Sequence, residues 1–210
     1  MMNPIILPAD HINAIDRAAD LIQDGGVIAF PTDTVYGIGV TAFQEGAIDK
    51  LYRLKGRSAL KAIPILLGET EQISRISPPL SPLVTRFASA FWPGPLTIIV
   101  SLLPSMPANL SPTPTIGLRI PDHEFIRDLL RVTGPLAATS ANLSGEPSAL
   151  SASEVKAQFG SRVDLILDGG RSPREAASTV LDCTTDQPAI LREGPISWAE
   201  ILSVLNDPNE

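Results

Sequence analysis

The sequence is poor in several things, and each scarcity removes a class of protein. Cys183 is the single cysteine among 210 residues, so no disulfide can close within the chain, and the chain reads as cytoplasmic rather than secreted. Aromatic residues make up only 5%. That leaves core filling to Leu, Ile, Val and Ala, and provides no aromatic platforms interleaved with cations on which bases could stack. Lys and Arg number 16 against 23 Asp and Glu, and the formal charge of -7 disfavours a broad surface for phosphate backbones. No apolar run approaches the ~20 residues that a membrane-spanning helix needs. The N-terminus lacks a basic segment followed by an apolar one, so no signal peptide is expected. The chain also has no Walker phosphate loop, no dinucleotide fingerprint and no Gly-x-Ser-x-Gly elbow, so any nucleotide is held by other means and a Ser-His-Asp hydrolase is disfavoured. His11 and His123, the two histidines, each fall at an expected helix start and read as surface residues.

What is present fits one compact enzyme-sized unit spanning residues 1–210, with its core at about 10–205 and a hydrophobic content of 44%. Elements alternate along the chain. Apolar residues at helical spacing from Asp10 to Gln23 (Ile12, Ile15, Ala18, Ala19, Ile22) predict a helix with Asp10 as N-cap and Gly25-Gly26 as its stop. Helices are also predicted over 46–54, 82–91, 122–132 and 153–159, with a short one from Ser197. Strands are predicted over 27–30, 63–67, 96–103 and 116–120, in the apolar stretch after Pro135, and near Leu165, Val180 and Ile190. Strands alternating with helices argue for an α/β fold. Several connections, such as the four-proline stretch from Leu103 to Ile116, are too irregular for crossover helices. A mixed parallel and antiparallel sheet is therefore expected.

The chemistry-bearing residues gather at strand ends. The run Leu136-Ala137-Ala138-Thr139-Ser140-Ala141-Asn142 empties an apolar strand into hydroxyls and an amide, where open α/β sheets bind ligands. Upstream, Lys55, Arg57 and Lys61 place three cations within seven residues. These read either as a solvated helix end, which cations favour, or as a triphosphate clamp. Arg119 closes the apolar strand 116–120 just before Pro121. It is either an edge-strand residue facing water or a two-pronged clamp for a carboxylate. Ser178 and Arg192 adjoin two further strands. Asp33, Asp168 and Asp182 are similarly placed and within the repertoire of magnesium ligands, although their spacing matches no metal motif. Gly37 and Gly39 form a lone Gly-x-Gly.

Taken together these segments resemble the YrdC family, the threonylcarbamoyl-adenylate synthases of tRNA modification, over nearly the whole chain. The matching stretches are Pro31-Thr32-Asp33-Thr34-Val35-Tyr36-Gly37, Lys55-Gly56-Arg57, Trp92-Pro93-Gly94-Pro95-Leu96-Thr97, Leu118-Arg119-Ile120-Pro121, Thr139-Ser140-Ala141-Asn142, Ser178-Thr179-Val180 and Leu191-Arg192-Glu193-Gly194. The resemblance implies a YrdC-like fold in its short, single-domain form, with a twisted mixed sheet, flanking helices and a concave ligand-binding face. It implies an enzyme that joins L-threonine, bicarbonate or CO2, and ATP (with Mg2+) into threonylcarbamoyl-AMP and pyrophosphate. Downstream transferase proteins then modify adenosine 37 of tRNAs reading codons that begin with A. By the family pattern Arg57, Lys61, Thr115, Ser140, Ser148 and Arg192 bind ATP. Thr34, Arg119, the backbone at Ala138, and Ser178 bind threonine. Lys55, Arg57 and Lys61 are the catalytic cations. Ser58 and Ala62 depart from prolines usual near the basic motif, and Leu66 stands where some relatives place a histidine beside threonine. The competing expectations are an RNA-binding module and an ATP-binding regulator without turnover. Membrane association is not expected, and direct tRNA contact is expected to be weak or absent.

Overall fold

A computed structural model describes residues 5–173 and 176–206. In chain order its elements are β1 (Ile5–Pro8), α1 (Ala14–Gln23), β2 (Ile28–Phe30), β3 (Gly37–Thr41), α2 (Glu45–Lys55), β4 (Ile65–Leu66), α3 (Pro82–Phe91), β5 (Leu96–Ser101), β6 (Thr115–Arg119), α4 (Glu124–Thr133), β7 (Leu136–Ser140), α5 (Ala152–Phe159), β8 (Leu165–Asp168), β9 (Thr179–Asp182), β10 (Ala189–Arg192) and α6 (Trp198–Leu205). Among the described residues the strands form one ten-stranded sheet in the order β1-β8-β2-β3-β7-β4-β6-β5-β9-β10. Parallel pairs (β1 with β8, β2 with β8, β4 with β6, β5 with β9) are interspersed with antiparallel ones, so the sheet is mixed, as the irregular connections predict.

Strand pleating sends alternate residues to opposite faces, and both faces carry core. On one face Ile28, Phe30, Leu136, Ala138, Leu165 and Leu167 pack with Ala14, Ala18 and Ile22 of α1 and Ile126, Leu129 and Leu130 of α4. On the other, Ala29, Ala137, Ile166, Ile98 and Leu118 pack with apolar residues of α2, α3, α5 and α6. The helix ends follow local chemistry. Ser81 accepts from the Val84 amide at 3.3 Å ahead of Pro82. Ser197 and Glu200 close a capping box on α6.

Three expectations needed correction. The first helix starts at Ala14 after Asn13, not at Asp10, and Ile12 is 91% exposed rather than part of its buried stripe. β1 and β3 were not foreseen. β3 lies between β2 and β7 and is buried throughout, so its sequence Gly-Ile-Gly-Val-Thr lacks the polar alternation of a half-exposed strand. The Gly-x-Gly is a packing feature of that strand: a Cβ on Gly37 would stand 2.5 Å from Cε2 of Phe30, and one on Gly39 3.0 Å from the Ala137 carbonyl.

Candidate active site on the open face of the sheet

α1 and α4 cover only part of their face of the sheet. Where that cover stops, the pleat presents one row of residues from successive strands. Cross-strand register places Gly37 opposite Ser140, Gly39 opposite Ala138, Leu66 beside Arg119, and Thr97 beside Val180. Leu96, Ile98 and Leu118 turn into the core, which turns Thr97 and Arg119 the other way. The result is an open cavity with about 690 Å³ of unfilled space, solvent at its mouth included. Its wall holds Thr34, Arg57, Arg119, Ala138, Ser140, Ser178 and Arg192 together with Thr32, Tyr36, Leu66 and Thr97. The candidate site therefore lies on a sheet face as well as at strand ends.

Of the residues nominated for ATP, Arg57, Ser140 and Arg192 line this cavity, as do all four nominated for threonine; Lys61, Thr115, Ser148 and Lys55 are not in its wall. Lys61 is exposed in the loop after α2. Thr115 Oγ1 shares a 2.9 Å hydrogen bond with Thr113 Oγ1, and the Ser148 hydroxyl donates to Asn142 Oδ1 at 3.5 Å.

Helix α2 ends on Gly56, whose φ of 60° lets the Gly56 and Arg57 amides close on the carbonyls of Arg53 and Tyr52. That turn directs the two motif cations differently. Arg57 reaches back over its own loop, donating from Nη2 to the Ala62 carbonyl at 2.8 Å and from Nε to that of Lys61 at 3.3 Å. Lys55 points inward, only 3% exposed, and its Nζ donates to the Ser140 carbonyl. Burial, and then the Arg57 charge, push the Lys55 ammonium down to about 7. Desolvation and the same Arg57 charge lower Arg192, while desolvation lowers Arg57 itself. These cations repel one another, and among the described residues no carboxylate stands in the cavity wall. Such an arrangement calls for an anion.

The cavity's other cation is held differently. Arg119 is 6% exposed on an interior strand, so the edge-strand alternative falls. Its Nε donates to the Gly94 carbonyl at 3.0 Å, Nη1 to Thr34 Oγ1 at 3.1 Å, and Nη2 to Asp33 Oδ1 at 2.5 Å. Asp33 is thus an arginine partner. Asp168 accepts from the Gly170 amide and Asp182 from the Thr184 amide, and none of the three carboxylates lines the cavity. Among the described residues no cluster of three His, Cys, Asp or Glu is placed to hold a metal ion. His123 is half-buried rather than on the surface, and burial lowers its pKa.

Two cavity groups, Thr97 and Tyr36, fall in the matching segments, although the sequence assigns them no role. Thr97 shares a 2.8 Å hydrogen bond with Ser178, whose carbonyl and hydroxyl also accept from Arg192, linking the two sets of nominated residues. A polar residue between Leu96 and Ile98 in a buried strand was the available signal. Tyr36 lines the cavity, with its hydroxyl donating to the Gly170 carbonyl at 2.7 Å and its pKa pushed up to about 12, chiefly by burial.

A mixed α/β sheet with an anion-seeking cation cluster and a second, buried arginine on one open face defines a small-molecule enzyme of the nucleotide-using kind. The chain belongs to the Sua5/YciO/YrdC family, whose model, described as telomere recombination, matches residues 20–194. It is 37% identical over 199 residues to a putative threonylcarbamoyl-AMP synthase of Mycobacterium tuberculosis, covering 94% of this chain and 92% of the relative. It is 39% identical over 197 residues to the threonylcarbamoyl-AMP synthase of Bacillus subtilis, covering 91% of this chain and 56% of that longer protein. The crystal structure of Pyrococcus abyssi Sua5 complexed with L-threonine superposes with a TM-score of 0.91 at 34% identity, covering 96% of this chain and 60% of that one.

Proposed function

We propose that this protein is a threonylcarbamoyl-AMP synthase: it condenses L-threonine, bicarbonate or CO2, and ATP into threonylcarbamoyl-AMP and pyrophosphate. One observation carries the reading. A single cavity joins a cluster of cations, suited to a triphosphate, to a buried, oriented arginine suited to an amino-acid carboxylate. The names of relatives aligned over nearly their full length support it.

In this reading Arg57 and Arg192, with Lys61 from the adjoining loop, neutralise the phosphates, and the Ser140 hydroxyl meets the nucleotide. Arg119 and Thr34 hold the threonine carboxylate, while the Ala138 backbone and Ser178 position the rest of the amino acid. The neutral amine adds to CO2 and loses a proton, giving a carbamate. A carbamate oxygen then attacks the α-phosphorus and pyrophosphate leaves in line. Alignment of two bound substrates and neutralisation of the departing pyrophosphate supply most of the rate. Magnesium would enter with ATP and neutralise phosphate charge, and the described wall would offer it the hydroxyls of Thr32, Thr34 and Ser140 but no carboxylate. The labile product passes to downstream transferase proteins that modify adenosine 37 of tRNA in the cytoplasm. Among the described residues no helix is long and apolar enough to cross a membrane.

The test is pyrophosphate release with ATP while threonine and bicarbonate are omitted in turn. Release should require both. Release independent of threonine would reject the synthase reading, and binding of ATP without any release would favour a regulator.

A further inference from the structure

Asp33 belongs to the Pro-Thr-Asp-Thr loop but does not face the cavity. Arg119 lines the wall, and Asp33 stands behind it. The Asp33 side chain is 9% exposed and that of Arg119 7%. Each carboxylate oxygen has a distinct situation. Oδ1 accepts from Arg119 Nη2 at 2.5 Å, whereas Oδ2 is buried with no hydrogen-bond partner among the described residues. Nearby, His123 Nδ1 is likewise buried and unpartnered, and the Asp33 charge acts on this imidazole against the effect of its burial.

A carboxylate buried with a vacant oxygen is costly, and this one is spent on a guanidinium that Gly94 and Thr34 already hold on two sides. We infer that Asp33 is a positioning residue for the threonine site: it fixes the Arg119 guanidinium and cancels its charge, so that the carboxylate of the substrate is read by geometry rather than by net attraction. The inference rests on the assignment of Arg119 to the threonine carboxylate. Two physical consequences follow. The Asp33 charge repels a second carboxylate bound to the same guanidinium, which weakens threonine binding. In exchange the guanidinium stays in one orientation, and the carbamate formed on the bound amino acid keeps its line of attack.

The consequence is a split that damage to the fold does not produce. In Asp33→Asn, which keeps shape and one acceptor oxygen but removes the charge, threonine should bind several-fold more tightly by calorimetry. Turnover should fall about tenfold, and ATP affinity should stay unchanged. Threonine affinity that is unchanged or weaker would overturn the inference, as would a parallel loss for ATP. The assignment of Arg119 is tested separately by Arg119→Lys, which should weaken threonine binding about tenfold. If it does not, the clamp itself fails whatever Asp33 does. If it does, adding Asp33→Asn to Arg119→Lys should reproduce less than half of the Asp33→Asn effect, because residues acting through one contact are not additive. Full additivity would overturn the inference. Should Asp33→Asn not fold, Asp33→Glu keeps the charge and moves the guanidinium by one methylene. Threonine affinity should then fall with ATP affinity intact, and an unchanged threonine affinity would count against positioning.

Discussion

Replacing Lys55 by methionine should stabilise the protein, and by an amount that depends on pH. In the unfolded chain a lysine keeps its proton up to its ordinary value of 10.5; in the folded protein burial, and then the Arg57 charge, hold Lys55 at about 7. Below pH 7 both states carry the proton and the folded state bears the full cost of burying it. Between 7 and 10.5 the unfolded chain holds a proton that the folded protein has shed, so wild-type stability rises with pH across this window. Each pKa unit corresponds to about 1.4 kcal/mol, which sets a ceiling of about 5 kcal/mol on the cost. Methionine matches the length of the stem and carries no charge, but it leaves the Ser140 carbonyl without its donor, a loss of about 1 kcal/mol. Lys55→Met should therefore gain about 2–4 kcal/mol at pH 6 and about 1 kcal/mol at pH 9, and lose about 1 kcal/mol above pH 10.5, where only the missing hydrogen bond is left. Urea unfolding of both proteins at pH 6, 7.5 and 9 measures this directly, since the midpoint moves while the slope stays constant. A stability difference that is the same at all three pH values would refute the reasoning, because it would mean that Lys55 titrates alike in the folded and unfolded chains.

Other expectations are simpler. Arg57→Ala should weaken ATP binding by about 1.5–3 kcal/mol, the scale of charge-assisted hydrogen bonds, and lower turnover further if the contact tightens as pyrophosphate leaves; unchanged affinity and turnover would return the basic motif to a solvated helix end. Gly37→Ala should destabilise by about 1–3 kcal/mol, because its Cβ would enter the space of the Phe30 ring in a packed core, and a melting temperature equal to wild type would show that the ring yields freely. Cys183→Ser should keep most activity, and the native thiol should resist alkylation at pH 8, since burial and the Asp182 charge push it up to about 12; complete loss of activity with the fold intact by circular dichroism would reveal a missed nucleophile.

Much of the scaffold was readable because its signals are local. The helices over 82–91, 122–132 and 153–159 declare themselves through apolar spacing and nearby Ser, Pro and Gly residues, and the structure places them within two residues of those bounds. The family was readable from seven short segments in order, because each keeps polar or glycine residues that an ordinary core would not need. β3 was not readable: a strand buried on both faces lacks the period-two polarity that marks a strand, and its glycines mimic a loop. Nor could the chain sequence say that Arg119 lies on an interior strand with Asp33 behind it, or that Lys55 turns in toward Ser140 while Arg57 turns over the loop. These depend on strand order and register, which bring together residues up to 86 positions apart. Local chemistry specified which groups the protein has to work with; the tertiary structure decided which of them share a face, which are desolvated, and so which charges act on a substrate and which act on each other.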